Sequence, residues 1–140
     1  MRKILLLAFV SLLGLAGGSQ VSAAGFQGPC SVATLRGNYG YSFTGTVTTW
    51  GSLVGQGTLV FNGSGELTGA YAENVAGLVF SGKFTGVFTV ASDCTGSAII
   101  TGALNTWKTE LRFVIVNNGE EVLLVDSDKD KVVSGTAKKM

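Results

Sequence analysis

Histidine is absent from the sequence. That excludes Ser-His-Asp and Cys-His catalytic machinery and removes the usual zinc ligand. Cysteine is confined to Cys30 and Cys94, too far apart for the Cys-x-x-Cys pair that thioredoxin-like redox chemistry needs. Charge is scarce, at 14% of residues, with 10 Lys and Arg against 9 Asp and Glu. Without a basic run, nucleic acid is an unfavourable partner, and nothing draws the surface electrostatically to anionic lipid. No glycine-rich segment precedes a helix, so the 21 glycines do not form a phosphate cradle. Proline occurs once, at Pro29, and helical periodicity is missing beyond the first segment. No cofactor is expected.

What is present begins with basic, apolar and small residues in that order. Arg2 and Lys3 precede an apolar run over residues 4–16, and small residues collect in residues 19–24. This is the layout of a secretory signal peptide. The run is about a dozen residues long, short of the roughly 20 that span a bilayer as a helix. Residues 1–24 are therefore read as a signal peptide and residues 25–140 as a single secreted or periplasmic domain of about 116 residues, enough for a core of its own. Losing Arg2 and Lys3 leaves eight basic residues against nine acidic ones, and no membrane partner is expected after cleavage. An even cysteine count in an exported chain reads as a disulfide. The Cys30–Cys94 bond would close a loop of about 65 residues and contribute about 4 kcal/mol.

The remainder alternates between apolar and polar residues, in runs broken by glycine and asparagine, which is the signature of strands. Eight are expected, over residues 38–50, 53–61, 66–74, 78–90, 97–106, 109–117, 120–126 and 131–137. In the first, Tyr39, Tyr41, Phe43 and Val47 share one face. In the fourth, Leu78, Phe80, Phe84, Phe88 and Val90 do. Asn118-Gly119 is a strong hairpin signal, and Ser31 is placed to cap a short helical turn. Eight consecutive strands with short connections favour an all-β, eight-stranded antiparallel up-and-down barrel, with a β-sandwich as the alternative. Glycines inside strands, such as Gly45, Gly55, Gly57 and Gly69, suit the sharp coiling of a small barrel. Residues 111–116 and 122–125 carry apolar residues on both faces, so an outer cover is expected, and a homo-oligomer through strands six and seven would supply it.

Three blocks support a comparison: residues 30–41 (CSVATLRGNYGY), 57–69 (GTLVFNGSGELTG) and 86–96 (GVFTVASDCTG), with Phe113-Val114-Ile115-Val116 behind them. They resemble a family of small secreted bacterial proteins with a disulfide-linked β-barrel. That resemblance implies compartment and fold, with no activity and no catalytic residue. More distantly, the layout is similar to calycin-type barrels and to the barrel of allene oxide cyclase and dirigent proteins. The likeness implies a lumen for an apolar ligand at the level of fold, which does not carry function.

Glu73 is the candidate acid. It shares parity with Leu67 and Tyr71, which places it toward the lumen, where apolar walls would raise its pKa and suit it to general acid or base work. Tyr39, Tyr41, Tyr71 and Phe84 are the candidate ligand-binding residues, against the plainer reading that they are core side chains. Glu110 and Arg112 are expected on the outer face, each paired with another strand. Asp126, Asp128 and Asp130 imitate the start of a calcium loop, but Lys131 and Ala137 stand where glycine and glutamate are needed, so a solvated turn and no metal are expected. Trp50 and Trp107 flank turns and would cap the barrel or stack on a ligand. Three functions follow: a barrel binding a small apolar ligand, a cyclase- or isomerase-type enzyme using Glu73, or a structural, surface-associated protein. The first is preferred, and it requires that Phe43, Phe61, Phe80, Phe84, Phe88 and Phe113 line the lumen rather than plug it.

Overall fold

The computed structural model describes residues 28–140, so the signal-peptide reading of residues 1–24 lies outside the described residues. Eight antiparallel strands close into an up-and-down barrel in sequence order. They are β1 (Arg36–Val47), β2 (Gly51–Asn62), β3 (Glu66–Val75), β4 (Leu78–Val90), β5 (Thr95–Gly102), β6 (Lys108–Val116), β7 (Glu121–Asp126) and β8 (Lys131–Lys139). β8 returns to β1 through a register running from Tyr39↔Lys139 to Val47↔Lys131, which removes both sheet edges. The lumen is apolar and the outer face is rich in threonine and serine. Apolar side chains interrupt that outer face at Val54, Val60, Val87, Ile99, Val114 and Leu123.

The two ends differ. At one end a 3₁₀ turn (Val32–Thr34) precedes β1, capped by Ser31 through reciprocal bonds with the next turn, as the sequence leads one to expect. The Cys30–Cys94 disulfide ties this segment to the β4–β5 turn, and Cys30 N–H donates to Ser92 O at 3.1 Å. Leu35 and Tyr39 are fully buried here, with Ile115 at 1% exposure. Tyr39 stacks edge-on against Phe61, and Phe61 against Phe88. This end is closed.

Three local expectations change. The fifth strand stops at Gly102 rather than running to residue 106. Leu104 takes a left-handed φ of 58° and stands 96% exposed. The cause is Trp107, whose indole folds inward over Gly102, where a Cβ would lie 2.6 Å from Trp107 Cε2. The Asn118-Gly119 turn is longer than a two-residue hairpin, because Asn117, Asn118 and Gly119 all have positive φ. The Tyr39 hydroxyl donates to Gly119 O, drawing the loop over the closed end. Glycine is required at that point, since a Cβ on Gly119 would stand 2.5 Å from Thr34 O. Finally, Leu78 has inward parity but is 59% exposed. The β4–β5 register begins only at Phe84↔Gly102, so the β3–β4 hairpin rises beyond the rim of the other end.

Candidate functional site

The lumen is not filled. It encloses a cavity of about 490 Å³, within the range of about 300–1,000 Å³ found for small-molecule sites. Its floor rests on the closed end, at Phe61, Leu67 and Phe113. Its mouth lies at the opposite end, among Trp50, Phe80 and Trp107. Trp50 and Phe80 are 59% and 40% exposed, so the cavity opens to solvent there.

The aromatic rings leave this space open because glycines receive them. Phe43 stands directly across from Gly55, and Tyr41 from Gly57. Phe84 faces Gly69, Tyr71 faces Gly82 and Phe113 faces Gly96 in the same way. At each of these glycines a Cβ would overlap or crowd the facing ring; on Gly82 it would be 3.0 Å from Tyr71 Oη. Each ring therefore lies flat in a recess of the neighbouring strand. The coiling role expected of these glycines is joined by a second one, which sequence parity could have suggested: the pairs occupy inward positions on adjacent strands.

Of the expected ligand-binding residues, Tyr41, Tyr71 and Phe84 line the cavity. Tyr39 does not. It lies beneath the floor, fully buried and hydrogen-bonded to Gly119. Tyr41 Oη donates to Ala70 O at 3.0 Å, and Trp107 Nε1 donates to Tyr71 Oη at 3.3 Å. Burial, then the charge of Glu73, then Tyr71 push the Tyr41 phenol well above its usual pKa, so it remains protonated.

Glu73 lines the upper wall, directly across from Gly55 on one side and Phe80 on the other. Burial lifts its carboxyl above the ordinary value of 4.5, and Lys131 pulls it partway back. A carboxyl with a raised folded pKa contributes stability that is complete while it is protonated and is lost as pH rises through the folded pKa. Glu73→Gln is therefore expected to stabilise the protein at neutral pH and to leave it unchanged below 4.5. Urea unfolding of both proteins across that interval checks this; a Gln variant less stable than the parent at neutral pH would overturn it.

A polar cluster at the mouth was not anticipated. Thr109 Oγ1 stands 2.7 Å from Oδ2 of Asp126 and 2.7 Å from Oδ2 of Asp128. Lys131 Nζ donates to Asp128 Oδ2 at 3.2 Å and to Thr109 Oγ1 at 3.1 Å, and lies 3.7 Å from Asp126 Oδ2. The turn is thus not simply solvated, for the Asp126 side chain is 7% exposed. Partial burial works upward on Asp128, but the Thr109 hydrogen bond and Lys131 outweigh it and hold the carboxyl below its usual range. Parity carried the missing signal. Asp126 continues the inward series of Val122 and Leu124, and Lys131 that of Val133 and Ala137. Glu110 and Arg112 are exposed as expected, but they pair with each other along β6 at 3.6 Å rather than across strands.

Comparison with protein-family models, with curated proteins and with solved structures finds no match to the chain.

Proposed function

We propose that this protein is an exported binding module whose barrel holds one small apolar ligand. The observation that supports it is the open apolar cavity, closed at the disulfide end and bordered at its mouth by a few polar groups, the usual construction of a ligand site. The disulfide suits an oxidising compartment, secreted or periplasmic, in keeping with the signal-like first residues and the resemblance to small secreted bacterial barrels. The likeness to calycin-type barrels agrees with the same reading. Titration with a neutral apolar fluorophore such as N-phenyl-1-naphthylamine tests it. Saturable binding is expected, and Ala98→Phe, which places a ring on the lumen wall, should weaken it by about tenfold or more. Absence of saturable binding, or binding indifferent to that substitution, counts against the cavity.

A second reading, a cyclase- or isomerase-type barrel, draws on one observation: Glu73 and Tyr41 share the same lumen wall. A protonated carboxyl there would donate to a bound ligand as a general acid. Chemical change of the bound molecule, abolished by Glu73→Gln, distinguishes this reading from simple binding.

We also propose self-association through the outer face of β6 and β7. Val114 and Leu123 stand opposite each other in register, 42% and 44% exposed, with Val125 at 48% beside them. Leu123→Glu should convert an oligomer to a monomer in light scattering at micromolar concentration. A monomeric parent protein would dispose of the idea.

A further inference from the structure

We propose that the cavity prefers apolar molecules whose polar head is a protonated amine, and that Glu73 is the group that receives this head. The inference rests on the reading of the barrel as a ligand-binding module and concerns the chemistry of the same site.

Charge at the mouth is unbalanced. The charged side chains on the cavity wall are Glu73, Asp126 and Lys131, and Asp128 reaches Lys131 from the adjoining turn. Three carboxyls therefore share one ammonium. Lys131 is already engaged by Asp128, Thr109 and Asp126. A ligand carboxylate would have to displace an aspartate from Lys131 while approaching Glu73, a like charge. The Tyr41 hydroxyl and the Trp107 indole N–H are engaged too, with Ala70 O and Tyr71 Oη.

Glu73 stands differently. Among the described residues its carboxyl accepts no hydrogen bond, and it lines the cavity with the charge of Lys131 acting on it. Phe80, its direct cross-strand partner, lines the same cavity beside it. An ammonium placed between a carboxylate and an aromatic ring gains from both, through a charge-assisted hydrogen bond and through the ring's negative face. A carboxylate head gains from neither. An alcohol head gains a hydrogen bond without the ion pair or the cation–ring contact, so it should rank between them. The burial that makes an unpaired Glu73 carboxylate costly is offset when a cation pairs with it.

The test uses three probes of one chain length, octylamine, octanol and octanoate, titrated into the disulfide-bonded protein at neutral pH. Trp50 and Trp107, both on the cavity wall, give a fluorescence readout. Octylamine is expected to bind about tenfold or more tighter than octanoate. Glu73→Gln, which keeps the side chain's shape, should weaken octylamine by about tenfold and leave octanol within about twofold. Octanoate binding as tightly as octylamine, or a Gln variant that weakens all three probes alike, overturns the amine preference while leaving the binding module intact. Failure of every probe to bind overturns the binding module and the preference with it.

Discussion

Replacing both cysteines, as Cys30→Ser with Cys94→Ser, is expected to lower the unfolding free energy by about 4 kcal/mol, which is a fall in melting temperature of roughly 15–25 °C for a domain of this size. The bond joins residues separated by 64 positions, so its loss frees a long loop in the unfolded chain. The folded state loses as well. Cys30 anchors the segment that carries Leu35 into the closed end, and Cys94 holds a left-handed φ of 70° in the β4–β5 turn. Its carbonyl accepts from Ile115 N–H at 2.8 Å, so the same turn is tied to β6. Urea and thermal unfolding, with the parent protein under reducing and non-reducing conditions alongside, measure the effect. A melting temperature unchanged in the double variant would show that the closed end holds without its staple. Because the cavity mouth lies at the opposite end, ligand affinity below the lowered melting temperature should be nearly unaffected.

Gly69→Ala is expected to cost about 3 kcal/mol, the upper part of the usual range for overpacking a core, and to weaken ligand binding. The added methyl would overlap the ring of Phe84 and stand 2.6 Å from Thr58 O. The backbone carbonyl belongs to the barrel wall and cannot move cheaply. The ring can move only out of its recess, into the space a ligand would use. Phe84 is 7% exposed and meets Tyr41 edge-on at 6.1 Å, so its displacement disturbs a second ring. Placing Gly69→Ala in a Phe84→Ala background isolates the cause. The glycine substitution should then cost about 1 kcal/mol less, because one of its two clashes is gone. Additive costs in that double-mutant cycle would show that the ring does not depend on the recess.

These two effects mark where reading the chain succeeded and where it stopped. The eight alternating runs defined the strands to within a few residues, and the fourth was bounded as expected, over Leu78–Val90. Short connections implied antiparallel neighbours in sequence order, and two cysteines in a chain with an export-like beginning implied one bond. Misplaced ends, as at residues 102–106, arose where a distant side chain won over local pattern. Trp107 turns inward because Tyr71 on β3 offers its hydroxyl, a partner 36 residues away that no local period reveals.

The site was half legible for the same reason. Parity sorts residues to the inside or outside of a strand, and it placed Glu73, Tyr41, Tyr71 and Phe84 inside. Parity does not give depth along the barrel axis. Tyr39 and Tyr41 have equal parity, yet one is sealed beneath the floor and the other lines the cavity, because the 3₁₀ turn and Gly119 close over Tyr39 alone. Thr109, Asp126 and Lys131 come from β6, β7 and the start of β8, and only the stagger of those strands brings them to one point on the rim.

By itself the sequence determined the all-β class, the strand order, the inward faces and the cysteine pairing, because alternation and composition are local properties that survive without coordinates. The tertiary structure alone decided whether the lumen is open. That outcome depends on cross-strand register, which sets each large ring against a glycine rather than against another ring. A shift of one residue between any two strands would turn the recesses outward, because successive side chains point to opposite faces.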